Sequence, residues 1–258
     1  MIAVVLALLA LLLVAPASAG VTGGRPSVAL TASPAHVTLD GRQSETVRVT
    51  NNGSERVVVD VRRAGFALDL RGRPRILPAQ RSRTANTWLR VRPGRFALRA
   101  GASVLLSVAA KPPRRAEPGD HNTLVLLTTR RRGHGRIAVR MRLGVVVNVR
   151  VPGRVVHRLA LRSVHVRHAG KLRVIEVLTA NRGNVTEQIR VERVSLTLTR
   201  HRTPIARLRP EPRQLLPRSR GLVLFRYRGA ARGVVSGLVR LSTGSGDAAI
   251  YRVFRLRL

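Results

Sequence analysis

Short runs in which polar and apolar residues alternate constrain this chain more than any other feature of its sequence. In Glu45–Thr50, Val47 and Val49 alternate with polar residues. A period of two is the repeat of a β-strand, whereas an amphipathic helix repeats every 3.6 residues. No segment keeps the helical spacing long enough to predict a solid helix. The sequence therefore predicts an all-β protein.

Further strand-like runs follow at short intervals, separated by turns rich in Pro, Gly or Arg. They are Phe66–Leu70, Trp88–Val91, Ser103–Ala109, Leu124–Thr128 and Ile137–Val149. Short strands at this spacing are typical of a sandwich of two packed sheets. Aromatic residues make up 3% of the chain and hydrophobic residues 44%, so the core depends on Val, Leu, Ile and Ala. A core rich in branched aliphatic residues also favours strands.

Pro34 interrupts the first strand-like segment and separates Ser27–Thr31 from His36–Leu39. Proline has no N–H to donate, so a sheet tolerates it on an edge strand or where the chain passes from one sheet to another. We therefore expect an opening strand in two halves, which lies at an edge or changes sheets at Pro34.

A strand, an Asn/Gly turn and a second strand occur in each half of the chain. In the first half, Asn51–Gly53 follows Glu45–Thr50, and Val57–Val61 is the predicted partner strand of a hairpin. In the second half, the corresponding segments are Leu172–Ala180, Asn181–Asn184 and Glu187–Leu198. Such an internal repeat indicates two related domains.

The run Ile137–Val149 places Met141 and four further apolar residues on one face, and Val151-Pro152-Gly153 then interrupts it. We place the domain boundary at this interruption. The predicted architecture is two tandem immunoglobulin-like β-sandwich domains, residues 27–153 and residues 154–258.

The N-terminal segment has the pattern of a Sec-type secretory signal peptide. The apolar run Ile2–Val14 is followed by Ala17-Ser18-Ala19, a small-x-small cleavage site. We assign residues 1–19 to the signal peptide and residues 20–26 to a linker. The predicted location is extracytoplasmic: the periplasm, the cell envelope or the medium. The chain has no cysteine, which excludes disulfides, thiolate metal sites and a cysteine nucleophile.

The charge of the chain is strongly positive, with 48 Lys and Arg against 12 Asp and Glu, a net charge of +36. A protein of this charge adsorbs to polyanions, although the same charge can serve only solubility. Thr129–Arg136 links two predicted strands as a basic hairpin loop. Its four arginines are candidate polyanion-binding residues, because guanidinium pairs bidentately with phosphate or carboxylate. They are Arg130, Arg131, Arg132 and Arg136.

No catalytic or cofactor motif accompanies this basic character. The acidic residues are dispersed, the histidines have no metal-ligand spacing, and nucleophile elbows and phosphate-binding loops are absent from the sequence. The sequence thus predicts no enzyme, no cofactor, no metal and no small-molecule substrate. The signal peptide and the scarcity of aromatic residues argue against a specific nucleic-acid partner.

Six motifs of the first half occur in an order that resembles a known family. They are Val47–Gly53, Trp88–Pro93, Phe96–Gly101, Glu117–His121, Ile137–Arg142 and Val149–Gly153. Their order is similar to that of bacterial Ig-like domains related to periplasmic pilus chaperones and to surface proteins that partner WxL-type wall proteins. The second half resembles a generic Ig-like domain of the same group.

This resemblance implies binding by strand addition, in which an exposed sheet edge accepts an incoming peptide. The implied edge is the last long strand of the first domain, with Arg140, Arg142, Leu143, Val145 and Val147 as candidate residues. The resemblance also implies two basic residues that hold a partner's terminal carboxylate in the interdomain cleft. Arg142 is the candidate for one, and the facing position on the first strand holds Ala35 or His36.

The sequence thus predicts an exported, non-enzymatic binding protein, chaperone-like or scaffold, that engages an extracytoplasmic polypeptide through a sheet edge. The alternative is a cationic binder of anionic cell-wall polymer or of a membrane surface.

Overall fold

The computed structural model describes residues 28–41, 43–77, 85–130, 140–243 and 249–258. The predicted signal peptide and linker lie outside these residues. The described chain is built almost entirely of β-strands, and its one helical element is a 3-10 turn at Ala85–Thr87. None of the described helices is long and apolar enough to span a membrane.

The described residues of the first domain form ten strands in two facing sheets. Its strands are β1 (Leu30–Ser33), β2 (His36–Asp40), β3 (Ser44–Asn51), β4 (Val57–Leu68), β5 (Pro74–Leu77), β6 (Leu89–Arg92), β7 (Arg95–Leu98), β8 (Ser103–Ala110), β9 (Gly119–Thr129) and β10 (Arg142–Val151). One sheet has the order β1-β3-β8-β6, and the other has the order β2-β10-β9-β4-β5 with β7 also paired to β4. The inward residues of the alternating runs, such as Val47 and Val49, are fully buried between the sheets.

The second domain has a hydrophobic core of its own, and nine strands lie in the part of it that the structure describes. Its strands are β11 (Leu159–Ala169), β12 (Leu172–Asn181), β13 (Glu187–Ile189), β14 (Val194–Arg200), β15 (Thr203–Leu208), β16 (Arg213–Leu215), β17 (Arg220–Tyr227), β18 (Val234–Leu241) and β19 (Ile250–Arg257). They form the sheets β11-β12-β17, β13-β16 and β15-β14-β18-β19. Ile175, Leu196 and Phe225 are fully buried at the centre. The predicted strand Glu187–Leu198 is in fact two strands, because the chain turns at residues 190–193.

The first strand changes sheets at Pro34, as one of the two sequence-based alternatives predicts. β1 pairs with β3 in one sheet, whereas β2 runs parallel to β10 in the other. The segment around Pro34 thus crosses between the sheets, where the missing N–H interrupts no ladder.

The predicted hairpin after Glu45–Thr50 is wrong, because β3 and β4 lie in different sheets. The Asn51 side chain is buried and donates to the carbonyls of Glu55 and Arg99, at 2.7 and 3.1 Å. Its Oδ1 accepts the N–H of Gly53 at 3.0 Å. These bonds satisfy backbone groups of the segment in which the chain crosses from one sheet to the other.

The two domains contact each other through apolar packing and backbone hydrogen bonds. Leu216 packs against Phe66 and Leu124 on the outer face of the first domain. The N–H of Asp120 donates to the carbonyl of Asn184 at 2.8 Å. Gly119 lies so close to that carbonyl that an added Cβ would fall 2.1 Å from the oxygen. Only glycine fits at this position of the interface.

Candidate functional site

The sequence predicts β10 as a binding edge. One side of this strand pairs with a neighbouring strand along its whole length, and the other side is paired over only part of it. It pairs antiparallel with β9 from Arg142 to Val151. β2 lies parallel to it from Val146 to Arg150. Among the described strands, none pairs with the second side of Arg142–Val145.

The direction of the backbone groups follows from the bonds at either end of this segment. The N–H of Val146 donates to the carbonyl of Ala35 at 3.0 Å, so even-numbered residues of β10 face β2. The carbonyl of Met141 accepts the N–H of Thr129 at 3.0 Å, so odd-numbered residues face β9. By this alternation, the N–H and C=O groups of Arg142 and Gly144 point to the side that no described strand covers.

The candidate edge residues therefore have different positions. Arg142, Leu143 and Val145 belong to the open part of β10, whereas Val147 lies opposite Val37 of β2. Arg140 is exposed and precedes the strand. Leu143 is half-buried and Val145 fully buried in the core of the first domain, so their side chains do not face outward. What this edge offers a partner is chiefly its backbone.

Arg142 does not lie in the cleft between the domains. It is opposite Thr128 at the start of β10, nine residues from Val151, where the chain leaves the first domain. His36 lies opposite Val146 and thus faces a later part of the strand. The structure does not bring these residues together as a carboxylate anchor.

The interdomain cleft instead contains an ion pair whose carboxylate is buried and whose guanidinium is about half exposed. Arg150 donates to both carboxylate oxygens of Asp120, at 2.8 and 3.3 Å, and the Asp120 side chain is fully buried. The second oxygen also accepts the N–H of Thr186 at 2.8 Å, from the other domain. Burial raises the pKa of Asp120, but the hydrogen bonds from Arg150, Thr186 and Asn148 outweigh it and lower the pKa below its ordinary value.

Two of the solved structures that resemble this chain match it over most of its length. One is a chain of a chaperone–tip adhesin complex of CFA/I fimbriae biogenesis, with a TM-score of 0.51 and 13% identity over 87% of this chain and 98% of that chain. The other is the class 5 fimbriae chaperone CfaA, with the same TM-score, identity and coverage. The chain has a fimbrial-chaperone fold. No family model and no curated protein matches its sequence.

The fimbrial-chaperone fold confirms the predicted fold class of two tandem immunoglobulin-like sandwiches. It also confirms, as a likeness of fold, the resemblance to pilus chaperones. The resemblance to WxL-partner proteins stays a prediction, and so do the domain limits at residues 27–153 and 154–258.

The predicted basic loop of this chain comes between β9 and β10 in the sequence. The structure describes only one of its four candidate arginines. Arg131, Arg132 and Arg136 lie outside the described residues. Arg130 is exposed and donates to Asp60 Oδ2 at 3.1 Å, while Arg95 donates to Oδ1 at 2.6 Å. These two hydrogen bonds, from Arg95 and then Arg130, lower the pKa of Asp60. A carboxylate of the same domain thus already engages Arg130.

A second basic surface of the first domain was not predicted from the sequence. A groove between β4 and β6 is lined by Arg62, Arg63, Arg90 and Arg92, together with the apolar residues Val61, Leu89 and Val91. Arg63 Nη1 donates to the carbonyl of Leu89 at 2.7 Å and connects the two walls. The alternating Arg90 and Arg92 are visible in the sequence, but only the fold brings them beside Arg62 and Arg63.

Proposed function

We propose that this protein is an exported, non-enzymatic binding protein that engages an extracytoplasmic polypeptide by strand addition at Arg142–Val145 of β10. The observation that carries the proposal is that the N–H and C=O groups of Arg142 and Gly144 face no described strand, while β9 holds the other side of β10 in place. A chaperone in complex with a tip adhesin has a similar fold, which supports a chaperone-like or scaffold role.

Strand addition suits this edge for a physical reason. An uncovered strand offers a row of donors and acceptors that an extended chain can pair with. The core side chains Leu143 and Val145 are already packed, so the first domain need not unfold to accept a partner. Arg140 and Arg142 are exposed beside the open segment. Their charge disfavours pairing between copies of the protein, since like charges would then be opposed.

The experiment compares two substitutions at one position. Arg142→Pro removes the outward N–H of the open edge, whereas Arg142→Ala removes the same side chain and keeps the N–H. A photo-crosslinking amino acid at Arg140 reports the partner in intact cells that export the protein. We expect a polypeptide adduct that Arg142→Ala preserves and Arg142→Pro reduces at least tenfold. Equal adduct yields from both variants would contradict strand addition.

Adsorption to an anionic wall polymer or a membrane surface is the second candidate function, favoured by the net charge of +36. Coulombic adsorption weakens steeply with salt, since screening reaches only a few ångströms at about 0.5 M. Backbone pairing is much less sensitive. Retention on isolated envelopes that disappears at high salt, with crosslinking at Arg140 absent, would favour adsorption over strand addition.

A further inference from the structure

The groove between β4 and β6 concentrates positive charge on one side of the first domain. Arg62 and Arg63 belong to β4, Arg90 and Arg92 belong to β6, and all four are exposed. Half-buried Val61 and Val91 and buried Leu89 line the space between them, which measures about 580 Å³. The groove thus combines an apolar lining with cationic walls.

None of these four arginines forms an ion pair within the described part of the chain. Residues 60–100 contain only two acidic residues, Asp60 and Asp69. Asp60 is engaged by Arg95 and Arg130. Asp69 accepts the backbone N–H groups of Arg71 and Arg73, each at 2.8 Å. Both carboxylates are therefore committed to other partners.

The sequence next to the groove adds no negative charge. Residues 78–84, which precede the 3-10 turn before β6, lie outside the described residues and contain Arg81 and Arg83 but no Asp or Glu. The segment therefore supplies no carboxylate for the four arginines.

The walls of the groove are strand edges. Within the described residues, β6 pairs only with β8. On the side of β4 away from β9, β7 pairs with Val57–Asp60 and β5 pairs with Gly65–Leu68. Val61–Ala64 between them has no strand partner on this side, although the N–H of Val61 donates to the carbonyl of Gly94 at 2.9 Å. The carbonyl of Leu89 accepts Arg63. By the alternation of the two strands, the backbone groups left open on the walls are chiefly those of Arg63 and Val91.

We propose that this groove binds an extended acidic segment of a polypeptide, in which Asp or Glu alternates with apolar residues. Alternate side chains of an extended chain repeat every ~6.8 Å, the same spacing that separates Arg90 from Arg92 on one face of β6. Guanidinium groups pair bidentately with carboxylates, and the intervening apolar side chains fit against the half-buried Val61 and Val91. A phosphate polymer would satisfy the arginines but not the strand edges, because it has no backbone amides. This site is separate from β10 and does not rest on the proposed function.

The test uses two triple variants with the same change of charge. Arg62, Arg90 and Arg92 are replaced by Gln in the first, and Arg63 is retained because it connects the walls. The matched control replaces Arg207, Arg209 and Arg257 by Gln, which are exposed in the second domain and remote from the groove. The probe is a short blocked peptide of alternating Glu and Val, at about 0.15 M salt. Fluorescence anisotropy of a dye attached to the peptide measures the binding.

We expect the groove variant to bind the peptide about tenfold more weakly than the wild type, because three exposed guanidinium–carboxylate pairs are lost. The control variant should keep the wild-type affinity. An equal loss in both variants would reduce the effect to net charge and overturn the proposal. So would equal binding of a peptide with the same composition and its Glu residues in one block, or tighter binding of inorganic polyphosphate. Circular dichroism and thermal unfolding check that both variants remain folded.

Discussion

Asn51 and Asn181 make matching hydrogen bonds in the two domains. The Nδ2 of each donates to the carbonyl four residues later, Glu55 or Val185, at 2.7 Å. The Oδ1 of each accepts the N–H of the glycine two residues later, at 3.0 and 2.9 Å. Both side chains are buried where the chain crosses from one sheet to another. The internal repeat of the sequence therefore corresponds to one repeated structural device.

Replacing either asparagine by alanine should destabilise its domain by about 2 kcal/mol, because buried carbonyls lose their donor. The effects of Asn51→Ala and Asn181→Ala should appear in separate domains. Chemical denaturation measures them. Asn52→Ala is the control, since among the described residues the exposed Asn52 side chain bonds only to Thr31, and the loss of that bond should cost below about 0.5 kcal/mol. Similar losses at Asn51 and Asn52 would contradict this role.

Gly119→Ala should disturb the contact between the domains. Gly119 has a φ of +115°, and a Cβ there would overlap the Asn184 carbonyl. Gly101 also has a positive φ, +74°, but no atom lies near its Cβ position. Gly101→Ala should thus cost roughly 1 kcal/mol from backbone strain alone, and Gly119→Ala clearly more. Denaturation, together with proteolysis between the domains, compares the two. Equal costs would mean that the contact at Asn184 contributes nothing.

The Asp120–Arg150 pair predicts how stability depends on pH. The pKa of Asp120 is lowered in the folded protein, so its contribution is complete above the pKa of the unfolded chain, about 3.9. That contribution is lost as the pH falls below this value towards the folded pKa. Asp120→Asn should therefore be less stable than the wild type at neutral pH, and the difference should shrink in acid. Urea denaturation at several pH values measures it; a difference independent of pH would refute the assignment.

Proline substitutions test the direction of the β10 backbone independently of any partner. The N–H of Arg142 faces the uncovered side, whereas that of Leu143 faces β9. Leu143→Pro should therefore lower stability by about 3 kcal/mol or more, and Arg142→Pro should cost much less. Thermal unfolding of both variants measures the difference. The reverse order would show that the open edge has been assigned to the wrong backbone groups.

The fold class could be predicted from the sequence because alternation is a local signal. The connection after Asn51 could not, because a turn signal is the same for a hairpin and for a crossing between sheets. In the crossing, the Asn51 side chain donates to the carbonyl of Arg99, a residue that is distant in sequence. The sequence therefore predicted both strands correctly and paired them wrongly.

The candidate site, too, could be predicted from the sequence only in part. Alternation identified β10, but its pairing with β2 depends on residues more than a hundred positions earlier. The groove of four arginines combines β4 and β6, which are separated along the described chain by β5 and the 3-10 turn. Neither segment stands out in a chain with 48 basic residues.

The change of sheets at Pro34 limits how many residues of a partner chain can pair with β10. β2 begins only after this crossing, and its first residue fixes where the cover over β10 starts, at Val146. A crossing two residues earlier would let β2 extend over Gly144 and leave an incoming chain little more than Arg142. The length of segment that a guest can occupy is thus set on a different strand, at the opposite end of the domain's sequence.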